Sequence, residues 1–199
     1  MSTGIAKGRD WGHPSRVPGH AIRCASDVEA AEAQGPVVLA GGDLHRGLGR
    51  PTPKSPGEES VLVRVDRMMC SITTRTGRLD IPALAHVVVG RLFSSGVFEA
   101  CVNAGFVGDR NLTPRSHPGD GWVETIRIEP SMGLRQRREA RRRSITGAHV
   151  PHPLVQVLPT RQWSCLRTGR ERLVIDGVVI RRWVSVDVVV EPGAVDVHL

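Results

Sequence analysis

Pro114-Arg115-Ser116-His117-Pro118-Gly119-Asp120-Gly121 decides how this chain folds, because it does not stand alone. It follows a strand-like segment ending at Asn103, and Asp120-Gly121 is a turn signal in its own right, with the Asp120 carboxylate expected to hold nearby backbone N–H groups. Upstream lies Gly41-Gly42-Asp43-Leu44-His45-Arg46-Gly47-Leu48-Gly49-Arg50-Pro51, directly after the buried-strand pattern Val37–Ala40. Glycines after a strand expose backbone N–H groups that can face a phosphate, although a structural turn is the commoner outcome of such a stretch. Arg46 is a candidate phosphate partner on the same segment. Downstream, Ile175-Asp176-Gly177 sits between two valine-rich segments, where Asp-Gly is also a common hairpin turn.

Taken in order and at these distances, the three stretches resemble the signposts of the bacterial diacylglycerol kinase and sphingosine kinase family of lipid kinases. Asp43, Arg46, Leu48, Gly49 and Pro51 match the family's Gly-Thr-Gly-Asn-Asp-Phe-Ala-Arg-x-Leu-Gly-x-Pro motif in register, while Gly42 stands where the family has Asn. Asn103, Pro114, Ser116, Asp120 and Gly121 match the family's loop in the β-rich lobe, which supports the cleft. Asp176-Gly177-Val178 resembles Asp-Gly-Glu, in which the Asp is the family's general base; Val178 replaces the Glu. The resemblance spans residues 36–199. It implies a catalytic role for Asp176, cofactor contacts from Gly41, Gly42, Asp43 and Arg46, and a substrate-side or structural loop held by Asn103 and Asp120. ATP and Mg²⁺ are the cofactors of an active member.

The sequence nowhere spells the family's Gly-Gly-Asp-Gly-Thr loop for ATP, and forty residues before Gly41 are expected to be too few for its lobe. Phosphoryl transfer depends on positioning around Mg-ATP. A general base contributes about 3–5 kcal/mol, against about 7–11 kcal/mol for holding both substrates in line. A lone Asp176 therefore leaves the larger contribution unsupplied. Three readings stay open. One is a lipid-kinase-like protein without autonomous activity that binds lipid or an anionic membrane. Another is an active lipid kinase, completed by a partner chain or a second copy. The third is a basic nucleic-acid-binding domain.

Composition agrees with a folded protein whose core rests on aliphatic residues: 40% of residues are hydrophobic, but only 4% are aromatic. The formal charge of +7 favours partners of negative sign. Six arginines lie between Arg135 and Arg143, and Arg138, Arg141, Arg142 and Arg143 are candidates for an anionic surface. Without aromatic neighbours or a reading motif, nucleic acid ranks last among those partners. Four scattered cysteines suggest neither a zinc site nor a disulfide framework and fit the cytoplasm. No metal is expected from His149 and His152.

The expected class is α+β, mainly β: a β-sandwich over residues 60–199, a truncated α/β remnant of a nucleotide-binding lobe over 19–59, and an irregular leader over 1–18. Strands are expected over His20–Cys24, Val37–Ala40, Val61–Val65, Met68–Thr74, Ile81–Val89, Val97–Asn103 and Val123–Ile128. Further strands are expected over Leu154–Leu158, Gln162–Leu166, Leu173–Ile175, Val178–Val190 and Ala194–His198. Ser26 and Glu29 form a capping box for a helix running to Gln34, and Ser131 is placed to cap a second helix over Leu134–Arg143.

Overall fold

The computed structural model describes residues 11–93 and 96–199; the first ten residues of the expected leader lie outside them. Along the chain run β1 (His13–Arg16), β2 (Ile22–Cys24), α1 (Asp27–Glu32), β3 (Val37–Leu39), α2 (Gly42–Gly47), β4 (Glu59–Thr74), β5 (Gly77–Ala83), β6 (His86–Gly90) and β7 (Phe98–Val102). There follow β8 (Phe106–Val107), β9 (Arg110–Asn111), β10 (Val123–Ile128), α3 (Leu134–Arg143), β11 (Val155–Thr160), β12 (Gln162–Leu166), β13 (Leu173–Ile175), β14 (Val178–Ile180) and β15 (Trp183–His198). The mainly-β expectation is met.

Two sheets face each other. The first has the order β1-β4-β15-β3-β2, with β5 on β4 and β12 on β15; the second has the order β11-β10-β7-β6-β13-β14. Met68, Cys70, Ile72, Val186 and Val188 from the first sheet pack against Val87, Val89, Cys101, Leu173 and Ile175 from the second. The second sheet is buried on its other face too, where Phe98, Ala100, Ile126 and Ile128 meet Met132 and Ala140 from the α3 side. That double burial explains the apolar runs Val87–Val89 in β6 and Ala100–Val102 in β7.

β4 is one strand of 16 residues where the sequence suggests two. Its buried side changes midway: Val63 and Val65 join the core under α1 and α2, while Met68, Cys70 and Ile72 join the sandwich interior. Side chains alternate along a strand, so these sets lie on opposite faces. The changeover sits at Asp66, opposite an irregularity in β15 between Glu191 and Val195. Asp66 fixes this place. Its carboxylate accepts N–H bonds from Gly193 (2.7 Å) and Gly121 (2.7 Å), and its own N–H donates to the Pro118 carbonyl. The Pro114–Gly121 loop is thereby tied to the bulge.

β2 and β3 run parallel and join β15, with Val37 opposite Val197. The expected cap forms with two departures: the Ser26 hydroxyl accepts the Glu29 N–H, but the Glu29 carboxylate accepts the N–H of Ala25, one residue before the cap, and the helix ends at Glu32 and not at Gln34. α3 spans the expected residues, but Gly133 is its cap in place of Ser131, with the Gln136 side chain accepting the Gly133 N–H. Helix α2 is a departure, since the glycines there suggest only a turn. The expected strand over Ile81–Val89 breaks at Leu84-Ala85, where the chain crosses from the first sheet to the second.

Candidate functional site

Asp176 sits where Asp-Gly was expected to sit, in the two-residue turn between β13 and β14, with Ile175 opposite Val178. Asp176 and Gly177 have φ of 44° and 85°, as a type I′ hairpin requires. Its carboxylate turns inward onto the β5–β6 crossing. One oxygen accepts the Leu84 N–H at 2.7 Å; the other accepts Ala85 at 3.0 Å and His86 at 2.8 Å. The Asp176 N–H donates in turn to the His86 carbonyl. A corner buried between two sheets needs acceptors for its backbone donors, and Asp176 supplies three. Burial outweighs those bonds and pushes its pKa up to about 6.

Asp27, the first residue of α1, is buried and performs the same service for α2. Its carboxylate accepts the Asp43 N–H at 2.6 Å and the Leu44 N–H at 3.1 Å. Gly42, at φ 96°, lets this happen: a Cβ there would lie 2.3 Å from the Asp27 Oδ1. Gly41 packs as closely, with a Cβ position 2.4 Å from the Ala25 carbonyl oxygen. The backbone donors expected to face a phosphate are thus occupied by a carboxylate of the chain itself. Burial, and then the charge of Asp176, raise Asp27 to about pH 6.

The Asp43 carboxylate accepts the Gly108 N–H at 2.6 Å and lies 3.4 Å from the His86 imidazole. Burial lowers the pKa of His86, against the pull of Asp43 and Asp27. Arg46 donates to the Gly108 carbonyl, so α2 is clamped to the β8–β9 hairpin by both side chains. Asn103 completes the support. Its amide donates to the carbonyls of Asp66 and Leu84, both at 2.8 Å, and its backbone N–H donates to Ala85.

Gly41, Gly42, Asp43, Asn103 and Asp176 therefore converge around the Leu84-Ala85-His86 crossing. Asp120 does not join them: it closes its own turn by accepting the Trp122 N–H at 2.9 Å. The arginines of α3 are also elsewhere. Arg142 and Arg143 both pair with Glu139, at 2.8 and 2.7 Å, and hold its carboxyl down at about pH 2. Arg138 and Arg141 are exposed, whereas Arg137 is buried and donates to the carbonyls of Met132 and Glu129. Asp27, His86 and Asp66 escape the sequence reading. Only Asp66 carries a signal, as a charge interrupting the alternation from Val61 to Ile72.

The fold is similar to that of a diacylglycerol kinase from Bacillus anthracis str. Sterne, with a TM-score of 0.52 and 9% identity over 89% of this chain and 74% of that one. Two other structures from the same organism, provisionally named diacylglycerol kinases, give TM-scores of 0.54 and 0.51 at 10% and 11% identity. They cover 89% and 83% of this chain, and 76% and 70% of their own. No protein-family model matches the sequence, and no curated protein is significantly similar to it. The resemblance carried by the three motifs is thus met at the level of the fold: this chain has the architecture of the diacylglycerol kinase structures.

Proposed function

We propose that this chain is a diacylglycerol kinase-like protein without autonomous phosphoryl transfer, and that it binds lipid or an anionic membrane surface. The observation that carries the reading is the Asp176 carboxylate, whose two oxygens already accept three backbone N–H bonds. A general base must reach the proton it takes, within about 3 Å or through one water. Reaching out would strip the β5–β6 crossing of its acceptors. The α2 amides support the same reading, because Asp27 stands where a nucleotide phosphate would need them. A triphosphate brought there would meet the carboxylates of Asp27, Asp43 and Asp176 without a free donor among these amides. The residues present do not fit ATP and Mg²⁺ at this place, so no transfer step is drawn through them.

The positive charge favours an anionic partner, and among the described residues no helix is long and apolar enough to cross a membrane. A cytoplasmic protein peripheral to the membrane suits both properties. Titration calorimetry with Mg-ATP, followed by transfer of labelled phosphate to diacylglycerol in mixed micelles, tests the proposal. Neither heat of binding nor labelled lipid is expected. Turnover that Asp176→Asn abolishes while the protein stays folded would establish the active kinase in its place.

A further inference from the structure

The chain has a second arginine cluster, at the end of β13 opposite the Asp176 turn. Arg75 lies at the β4–β5 turn, Arg167, Arg170 and Arg172 on the β12–β13 loop, and Arg181 and Arg182 between β14 and β15. These six line adjoining shallow hollows whose floor includes Trp183. Among the described residues lining the hollows, Glu171 is the one carboxylate, and it is spent on the Thr168 hydroxyl and the Gly169 N–H. All six but Arg167 are exposed. With Arg91, which lines the same hollows, seven arginines against one carboxylate make this a place where much of the formal +7 is gathered.

The platform is built firmly. The Arg167 guanidinium donates to the carbonyls of Gly169 and Trp183, and the Trp183 indole donates to the Glu171 carbonyl at 3.0 Å. Those bonds lock the loop to the start of β15. Arg182 holds φ at 58°, a region that a long side chain rarely adopts. Two exposed aliphatic side chains line the hollows beside the arginines: Val179 at 42% and Val184 at 41%.

We infer that this arginine-rimmed end is the membrane-docking surface, with headgroup phosphates on the guanidinium groups and Val179 and Val184 against the acyl boundary. The inference rests on the lipid-binding reading above and locates it. Guanidinium groups suit phosphate through paired donors, and basic groups mixed with apolar ones are the pattern that lies at a lipid interface. A single-stranded nucleic acid would need aromatic platforms for its bases, and the one aromatic ring here, Trp183, is 1% exposed.

Co-sedimentation of the full chain with vesicles of phosphatidylcholine containing about 30% phosphatidylglycerol, at about 0.1 M salt, tests this. Each arginine near an anionic surface is worth about fivefold in partitioning. Arg181→Gln with Arg182→Gln, and separately Arg170→Gln with Arg172→Gln, are expected to weaken binding about tenfold or more, with unchanged urea midpoints. Arg138→Gln with Arg141→Gln on α3 is expected to stay within about threefold. If the α3 pair abolishes binding and the rim pairs do not, the location is overturned while the lipid-binding reading stands. If the wild-type chain ignores these vesicles, both fall. Tighter binding to duplex DNA at the same salt through the same arginines overturns the choice of partner.

Discussion

Replacing Asp176 by alanine separates a structural carboxylate from a catalytic one. The change leaves the N–H groups of Leu84, Ala85 and His86 without their acceptor. Each buried donor so stranded costs about 1–3 kcal/mol. Alanine at the positive φ of 44° adds about 1 kcal/mol, since Asp tolerates the left-handed region better. An opposing contribution comes from the charge. A carboxyl that ionises near pH 3.8 in the unfolded chain and at about 6 in the folded one disfavours folding at pH 7.5 by about 3 kcal/mol, which the substitution removes. The balance is a loss of about 4 kcal/mol, a large part of an ordinary domain's stability. At a urea dependence of about 2 kcal/mol per molar, the unfolding midpoint falls by about 2 M. The pH dependence follows with a definite sign. The folded pKa is raised, so wild-type stability from this group is full below pH 3.8 and lost as pH rises through 6. Moving from pH 7.5 to 5 should therefore enlarge the difference between wild type and variant by about 1–1.5 kcal/mol. Histidines whose titration opposes this trend are common to both chains and largely cancel. A midpoint shift worth less than about 0.5 kcal/mol at both pH values would refute the clamp and return Asp176 to candidacy as a base.

Three further outcomes follow from the same geometry. Gly42→Ala drives a Cβ to 2.3 Å from the Asp27 carboxylate at φ 96°, and should lower stability by about 2 kcal/mol or more in thermal or urea unfolding. Asp66→Ala strands the N–H groups of Gly121 and Gly193. It should cost about 2–5 kcal/mol and open the 114–121 loop to limited proteolysis before global unfolding. Arg137→Ala removes the buried guanidinium that holds the carbonyls of Met132 and Glu129. It should destabilise by about 2–4 kcal/mol, whereas Arg138→Ala on the exposed side of α3 should change stability by less than about 0.5 kcal/mol.

Local rules carried the sequence reading where local chemistry is decisive. The Ser26–Glu29 box, the Asp176-Gly177 turn and the alternation of β10 each involve residues a few positions apart, so propensity and period suffice. The reading failed where distant partners decide. Leu84-Ala85 contains no turn residue, and nothing in Ile81–Val89 signals a corner; the corner exists because a carboxylate 90 residues downstream accepts the His86 N–H. The length of β4 was hidden for a related reason. Its apolar parity changes at Asp66, which by itself reads as two strands, yet the pairing with β15 continues across the irregularity. The arginines show the same division. Clustering in sequence pointed to α3, where Glu139 pairs Arg142 and Arg143 and Arg137 is buried. The sandwich gathers Arg75, Arg167 and Arg182 from three separate connections, which no local run announces.

The proposal that the motif residues no longer serve the chemistry they suggest rests on one physical argument. A carboxylate near backbone amides can serve a substrate only while some of its lone pairs remain free, and the same holds for amides near a phosphate. Around the crossing the backbone donors of Leu84, Ala85, His86, Asp43, Leu44 and Gly108 all find carboxylate partners inside the chain, while the His86 Nδ1 and the Asn103 Oδ1 are buried without a hydrogen bond. Removing any of these bonds to bind a ligand would cost about as much as the new bond returns, since both are charge-assisted bonds in a sheltered place. The arginine rim differs on this count. Its exposed guanidinium groups face solvent with a single, already occupied carboxylate among them, so an anion arriving there gains contacts without breaking a comparable set. That asymmetry is why the proposed docking is assigned to the rim and not to the retained motif.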